Sequence, residues 1–565
     1  MLVPSDIVTT PTGDHVLHGQ PASAWHDAAM SSWAGLVGLV VLLLAGACSS
    51  DTGASRRAVP AGARQSAAGV PVTPDATQQG TPGWQLDRPA NGRQIEAFAD
   101  QASIRPGVSV GLYVSTRASA YTVQAFRIGA HRGSAAKLVW TSGSEPGREQ
   151  AAAREVASTR TPYAPWQRSM QVPTRGWEPG DYLLKLQMAA GGQQSYVPIT
   201  VRSASTAGRV VIVNSVTDWQ AYNTWGGRSL YQGPDGRRAT RAYAVSFDRP
   251  YRLGQGAADF LSNERPLVSF ADSLALPLAF VTDVDLDQDP HLLDGARAVI
   301  SPGHDEYYST RMRAALTAAR DRGTNIAFLA ANSVFRHIRL APTALGPDRF
   351  EIDYKAYEAD PERLINPDEV TVQWPDPPHL RPESALTGAM YECNGVKTDL
   401  LVADANHWPL TGTGLHNGQA LHQLVGDEYD SYQPQDLAPA PIQVLFHSPL
   451  TCSGRRGHAD TTHYTVPSGA GVFDAATTSW ECALEIQFCP AGQGDAAAQQ
   501  AVRAITKNLL KGFADGPAGR AHPATPNVPQ PAKRQGYGMP GSPPPSLPAA
   551  STSPVDEPGL ATAGR

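Results

Sequence analysis

The 565-residue chain has little of several features that commonly indicate a function. Its formal net charge is only −6, without a strongly basic or acidic region, so a nucleic-acid partner is not expected. No H-E-x-x-H zinc motif and no phosphate-binding P-loop is present. No cysteine lies between residues 49 and 392. These absences exclude zincin-type metalloproteases, P-loop NTPases and, in that part of the chain, a thiol nucleophile.

The apolar run at residues 36–44 is too short to cross a membrane as a permanent helix. It is typical of a signal peptide, and the sequence LAGAC that ends at Cys48 resembles the lipobox of bacterial lipoproteins. In those proteins the cysteine is lipidated. We therefore expect an exported envelope protein, anchored to the outer face of the membrane through Cys48. A plain secretory signal without lipidation stays open. Signal peptides normally carry a Lys or Arg before the apolar run, and none is present here, so a start at Met30 instead of Met1 also stays open.

Four cysteines remain if Cys48 is lipidated, and all of them lie in the last third of the chain. An even number of cysteines in an exported protein is typical of disulfides. The sequence allows three pairings, of which the simplest joins Cys482 to Cys489 and Cys393 to Cys452. Structural zinc is the competing interpretation, but no C-x-x-C pair supports it.

Composition divides the chain into two ordered domains with flanking segments that are rich in small residues and proline. Such segments are typical of disordered tethers and tails. The predicted divisions are a signal peptide at 1–48, a linker at 49–85, a β-sandwich at 86–204, an α/β domain at 207–515 and a tail at 516–565.

Two patterns of apolar residues predict the folds of the two domains. Short alternating runs such as residues 108–114 predict an immunoglobulin-like β-sandwich. Beyond residue 207, apolar runs alternate with helical segments, of which residues 309–322 are the clearest. This alternation predicts a doubly wound, mostly parallel α/β sheet, similar to that of glutamine amidotransferases. The predicted strands are residues 209–214, 278–282, 298–301 and 325–330.

Polar side chains follow each of these strands. Open α/β sheets bind ligands at the carboxyl ends of their strands, so we expect one functional edge there. In the segment from Gly303 to Glu306, His304 and Glu306 can face the same cavity, which suits metal binding or proton transfer. Helix capping by Glu306 is the plainer interpretation and stays open. The other side chains expected at this edge include Asp218, Tyr222, Asp283 and Asn332.

The acidic run from Asp283 to Asp289 is expected to be a solvated loop. A calcium-binding EF-hand loop needs glycine at its sixth position, where Gln288 stands, and Pro290 interrupts the pattern.

An ordered string of motifs identifies a family resemblance. The motifs are AYNTWGGRSLY at 221–231, DVDL at 283–286, GHDEY at 303–307, NHW at 406–408, GTGL at 412–415 and GDEYD at 426–430. Together they resemble the large (β) subunit of N,N-dimethylformamidase, over about residues 90–513. The resemblance implies hydrolysis of a small amide with a mononuclear ferric ion, Fe3+, held by two tyrosines and one glutamate.

Carried over residue by residue, the resemblance implies that Tyr222 and Glu306 bind the iron. Tyr182 best matches the order and spacing of the second tyrosine, while Tyr231 and Tyr251 stay possible. Phenolate and carboxylate oxygens are hard anionic donors that favour ferric iron. The residues that resemble the family's catalytic pocket are His304, Asn332, Lys355 and Glu428.

These observations predict an exported lipoprotein with a metal-dependent amidohydrolase-like domain, whose partner is a small-molecule amide. The alternative is a non-catalytic surface protein that binds a glycan or a peptide in the same pocket. The resembled enzyme has a small partner subunit, for which this sequence gives no indication.

Overall fold

The computed structural model describes residues 79–528, apart from residue 436. The predicted signal peptide and the lipidation at Cys48 lie outside the described residues. Within them, no helix combines the length and the hydropathy that a membrane crossing needs.

The N-terminal part of the described chain is a β-rich domain with two main sheets. One has the strand order β1-β3-β9, and the other has the order β2-β11-β10-β4-β5, with β6 paired to β4. Side chains of both sheets, such as Leu112 and Leu184, share one apolar core. The strands are β1 (Ile95–Ala99), β2 (Ser103–Ile104), β3 (Val110–Thr116), β4 (Ala120–His131), β5 (Ser134–Thr141), β6 (Glu145–Pro146), β7 (Arg154–Val156), β8 (Thr161–Tyr163), β9 (Met170–Val172), β10 (Gly180–Met188) and β11 (Gln194–Val201).

The rest of the described chain combines one large sheet with several small ones. Its strands are β12 (Val210–Asn214), β13 (Ala244–Ser246), β14 (Leu278–Thr282), β15 (Ala298–Gly303), β16 (Tyr307–Tyr308), β17 (Asn325–Ala330), β18 (Arg336–His337), β19 (Arg339–Thr343), β20 (Gly346–Ile352), β21 (Met390–Cys393), β22 (Thr398–Leu401), β23 (Ala420–Val425), β24 (Tyr429–Ser431), β25 (Ile442–Cys452), β26 (Arg455–Thr465) and β27 (Gly471–Asp474). The α-helices are α1 (Val216–Tyr222), α2 (Arg265–Ser273), α3 (Asp283–Gln288), α4 (Thr310–Asp321), α5 (Ser384–Thr387) and α6 (Ala496–Ala514).

The prediction of a doubly wound, mostly parallel fold was wrong. The large sheet has the order β14-β12-β15-β17-β27-β26-β25 and is mixed, because its first five strands are parallel whereas β26 and β25 are antiparallel. Most of the other sheets are antiparallel, and strand residues outnumber helical residues. The four apolar runs did predict strands, but a buried run carries no information on the direction of its neighbours.

The central strands of the large sheet are buried on both faces. In β12, Val210 and Ile212 belong to one apolar core, while Val211 and Val213 belong to another on the opposite face. Helix α6 contributes to the first core and α4 to the second. Ser309 caps α4 by accepting a hydrogen bond from the Met312 backbone. This packing explains why the strand sequences are apolar throughout instead of alternating.

The acidic run after β14 is not the solvated loop that we expected. Residues Asp283–Gln288 form helix α3, in which Thr282 and Asp285 make reciprocal capping hydrogen bonds. Asp283 is fully buried, and its carboxylate accepts hydrogen bonds from the backbone and hydroxyl of Thr217. Asp283 and Asp285 thus accept hydrogen bonds from backbone N–H groups at the starts of α1 and α3. A helix as short as α3 has too few residues for its apolar periodicity to be detected in the sequence.

Two disulfides join Cys393 to Cys452 and Cys482 to Cys489. The prediction of disulfides is confirmed, with the simplest of the three pairings.

The start of the predicted tail packs on the large sheet. The side chain of Asn527 accepts a hydrogen bond from the backbone N–H of Val444 and donates one to its carbonyl. This pairing satisfies one N–H and one C=O on the free side of edge strand β25.

Candidate active site

Two tyrosines and one glutamate meet beyond the carboxyl ends of the parallel strands. Tyr222 is the last residue of α1, and Tyr231 lies in the loop that follows, with the two rings stacked at a centroid distance of 4.5 Å. Oε2 of Glu306 lies 3.0 Å from the Tyr222 hydroxyl and 2.7 Å from the Tyr231 hydroxyl. The two hydroxyls are 2.9 Å apart. Three oxygen atoms therefore converge on one point.

A buried arginine holds the loop that carries the two tyrosines. The guanidinium of Arg249 is fully buried and donates hydrogen bonds to the backbone carbonyls of Gln220, Trp225 and Arg228, at 2.9–3.1 Å. These carbonyls lie on both sides of Tyr222 and shortly before Tyr231. The planar, five-donor guanidinium suits this task, because it can bind several carbonyls from one position.

Cationic side chains surround the acidic oxygens. Arg336 donates to Oε1 of Glu306 at 3.2 Å. The Tyr307 hydroxyl donates to that of Tyr231 and accepts a hydrogen bond from Lys355 Nζ at 2.8 Å. Lys355 Nζ also lies 4.1 Å from the centre of the Tyr231 ring. The positive charges stabilise the buried carboxylate of Glu306 and restrict its position.

A second group of residues adjoins the first through His304. Its Nδ1 lies 3.0 Å from a carboxylate oxygen of Asp218, and its Nε2 lies 2.7 Å from Oε2 of Glu428. The side-chain amide of Asn332 donates to the same Glu428 oxygen at 3.0 Å. The backbone N–H of Asn332 donates to Asp430. An imidazole, a carboxylate and an amide thus share one hydrogen-bonded network.

The turn at Gly303 positions both groups. This glycine has a φ of +64°, and a Cβ there would lie 2.4 Å from the Cβ of Asn263, so a side chain is excluded. The turn places His304 and Glu306 at the sheet edge, while Asp305 points elsewhere and accepts from Ser301 and Tyr308. His304 and Glu306 thus lie at the same edge of the sheet, as the sequence predicts.

Burial and neighbouring charges set the protonation states. Burial, with the charge of Glu306 added to it, raises the pKa of Tyr222 and Tyr231 well above that of a free tyrosine. For Glu306, burial opposes ionisation, but the charges of Lys355 and Arg336 outweigh it and lower the pKa. Burial lowers the pKa of His304, yet its carboxylate neighbours raise it well above its ordinary value. Without a cation, Glu306 is therefore a carboxylate, the tyrosines are neutral and His304 is charged.

Residues 122–495, more than half of the chain, match the family described as "N,N-dimethylformamidase beta subunit-like, C-terminal". The chain belongs to this family. The search of curated proteins found no match. Every side chain of the two groups around Glu306 and His304 lies within the part that matches the dimethylformamidase-like family.

Two tyrosines considered as iron ligands lie outside the cluster around Glu306. The structure places Tyr182 in the core of the β-rich domain, where its ring stacks on Trp177 and its hydroxyl donates to the carbonyl of Glu178 at 2.7 Å. Tyr251 packs edge-on against Trp219. Of the three tyrosines considered for the second position, Tyr231 is the one that contacts both Tyr222 and Glu306. The other predicted residues come together in the two groups around Glu306 and His304; they are Tyr222, His304, Glu306, Asn332, Lys355 and Glu428.

Sequence reasoning missed Arg336, which contacts Glu306 from the two-residue strand β18. Such a short strand has no periodicity that a sequence pattern can detect. Tyr231 was among the alternatives that the sequence left open, and it ends the motif at 221–231 that also contains Tyr222.

An iron ion suits this set of donors. The carboxylate and the two phenols become three hard anionic oxygens once the phenolic protons leave, and such ligands favour a ferric ion. The protons lie where a cation would replace them, at the point where both hydroxyls meet Glu306 Oε2. Asp218 and His304 lie beside Glu306, with one potential ligand atom from each of the three residues within 4.8 Å of the others. Both ring nitrogens of His304 face carboxylates in this structure.

Proposed function

We propose that this protein is a hydrolase of small linear amides that uses one ferric ion held by Tyr222, Tyr231 and Glu306. The observation that carries the proposal is the convergence of both phenolic hydroxyls on one oxygen of Glu306, within 2.7–3.0 Å. Membership of the dimethylformamidase-like family supports amide hydrolysis. When bound, the ion would act as a Lewis acid that polarises the amide carbonyl and makes a water molecule more acidic.

The protein's own residues around Glu428 handle the protons of the reaction. Oε2 of Glu428 accepts the proton that a water molecule loses as its oxygen bonds to the amide carbon. His304, charged and held by Asp218, keeps Glu428 in place. When the C–N bond breaks, Glu428 returns the proton to the leaving amine nitrogen, and the acid product keeps the oxygen of the water.

Asn332 and Lys355 have supporting roles. One N–H of the Asn332 amide is directed at Glu428, and its second N–H is available to donate to the oxyanion that develops on the amide carbonyl. Lys355, through Tyr307, keeps positive charge beside the tyrosines and so favours their ionised form.

The proposed location is the outer face of a membrane, reached by export and by lipidation of Cys48. Two disulfides support an oxidising compartment, since such bonds are rare in the reducing cytosol. Mass analysis of the N-terminal peptide from membrane fractions, in the chain and in a Cys48→Ala variant, tests the anchor.

The test of the function uses the purified protein and measures iron content, the visible spectrum and release of amine from N,N-dimethylformamide and other small amides. A ferric phenolate gives a coloured charge-transfer band, and we expect a Glu306→Gln variant to lose the band, the iron and the activity together. A folded, colourless protein that releases no amine would reject the hydrolase. It would favour the alternative of a non-catalytic binding protein.

A further inference from the structure

A second group of metal-binding side chains lies on the hairpin of β25 and β26. His447 and Asp460 are paired directly across the two strands, and His458 precedes Asp460 by two residues on the same face. His447 Nδ1 lies 2.7 Å from Oδ1 of Asp460, and His458 Nε2 lies 3.1 Å from its Oδ2. One potential ligand atom from each of the three residues lies within 4.8 Å of the others.

The carboxylate at the centre of this group is held in place. Asp460 is almost completely buried, and Oδ2 accepts a hydrogen bond from the backbone N–H of Tyr432 at 3.0 Å. A protein group that fixes a ligand in this way is typical of metal sites. The disulfide between Cys393 and Cys452 ties down the turn end of the same hairpin, since Cys452 is the last residue of β25.

The two histidines make the group accessible from solvent. The side chain of His447 is 49% exposed and that of His458 is 28% exposed, and their rings lie 4.9 Å apart. The two imidazoles therefore lie between solvent and the buried carboxylate of Asp460. An ion could therefore enter without a change in the fold and keep water on its outer side.

We propose that His447, His458 and Asp460 bind one divalent transition-metal ion, with Zn2+ as the probe, independently of the amidase function. Two imidazole nitrogens and one carboxylate oxygen are donors that Zn2+ accepts, whereas Ca2+ and Mg2+ require oxygen ligands. Each imidazole turns a bare nitrogen to the ion and carries its proton on the other ring nitrogen. The chemistry differs from that of the all-oxygen cluster at Glu306, so the two sites are expected to select different ions.

A short segment connects the two sites. Glu428 contacts His304, Asp430 accepts from the backbone of Asn332, and Tyr432 donates to Asp460. A zinc ion on Asp460 therefore binds beside the strand β24 that carries part of the candidate active site.

The experiment compares zinc binding by tag-free protein and by a His447→Ala/His458→Ala variant, at equilibrium with low-micromolar free Zn2+. A His291→Ala/His422→Ala variant is the matched control, because each of these exposed histidines also faces one aspartate but, among the described residues, has no second histidine partner. We expect the wild type and the control to bind one more zinc per chain than the test variant, with equal iron in all three. Zinc is also expected to raise the Tm of the wild type but not that of the test variant.

A single His447→Gln variant keeps the experiment decisive if the double variant fails to fold, because this side chain is half exposed. Loss of this ligand is expected to weaken zinc binding at least about tenfold, the loss typical even of a residue that only orients a ligand. Equal zinc affinity and stoichiometry in the His447→Gln variant and the wild type would overturn the proposal. So would a wild-type protein that takes up no zinc.

Discussion

Glu428 and His304 are 124 residues apart in the chain, yet Oε2 of Glu428 lies 2.7 Å from Nε2 of His304. The contact joins the turn after β15 to the segment before β24. The two glutamates of the site have different neighbours: Glu306 contacts the hydroxyls of Tyr222 and Tyr231, whereas Glu428 contacts the imidazole of His304. The proposed function assigns cation binding to Glu306 and proton transfer to Glu428.

The first prediction concerns the second tyrosine ligand. Tyr231→Phe removes one of the three oxygens around the proposed ion, so we expect loss of most of the iron and of the visible band. Tyr182→Phe is the matched control. It should keep the iron and lose only about 1 kcal/mol of stability, for one buried hydrogen bond. Iron analysis and visible spectra check both variants, and retained iron in Tyr231→Phe would contradict the assignment.

The second prediction separates catalysis from metal binding. Glu428→Gln keeps the size of the side chain but removes its ability to accept a proton, so kcat should fall about 10²–10⁴-fold. The iron content should not change, since Glu428 is not among the proposed ligands. Amine release and elemental analysis on the same sample measure both effects. Glu149→Gln, at an exposed site in the β-rich domain, is the control with unchanged kcat.

The third prediction concerns acid stability. Burial lowers the pKa of His407 to about 4, and Nε2 of His407 lies 3.1 Å from the Nδ1 of His463, which is also buried. The unfolded chain takes up this proton near pH 6.5, before the folded chain does. Stability is therefore lost as the pH falls from 6.5 towards 4, and His407 contributes roughly 3 kcal/mol of that loss at pH 4.

Urea unfolding at neutral pH and at about pH 4 measures this effect. His407→Gln removes the titration and should make the loss of stability on acidification smaller. His291→Gln, a change at an exposed histidine, should leave the loss as it is in the wild type. An identical acid loss in His407→Gln and the wild type would show that the buried histidine pair is not its cause.

The fourth prediction compares the two disulfides. The bond between Cys393 and Cys452 spans 59 residues, and the bond between Cys482 and Cys489 spans seven. Chain entropy predicts losses of roughly 4 and roughly 2 kcal/mol when each pair is replaced by alanine. Urea unfolding of the two double variants measures both losses. If the two losses of unfolding free energy were equal, or if the short loop lost more, packing in the folded state and not chain entropy would decide the effect.

Much of the site was predictable because the motifs are local. His304 and Glu306 follow a buried strand within a few residues, and Asn332 follows the next strand in the same way. The carboxyl ends of adjacent parallel strands meet at one edge, so the prediction that these side chains meet needed only the strand assignments.

The choice between Tyr182 and Tyr231 was not predictable from spacing. Both tyrosines lie at plausible distances along the chain, but β10 pairs with β4 and β11 in a register that directs Tyr182 into the core between the sheets. Register depends on partner strands far away in sequence, and a shift of one residue would reverse the face.

The amino-acid sequence by itself determined which segments are buried strands, that the four cysteines of the last third form disulfides, and which motifs mark the family. Each of these properties depends on neighbours within a few residues or on composition. The tertiary structure alone decided the mixed direction of the large sheet, the position of Tyr231 beside Glu306 and the contacts of Arg336 and His447. These depend on which distant segments pack together, and that choice comes from the free energy of the whole fold, which no single segment contains.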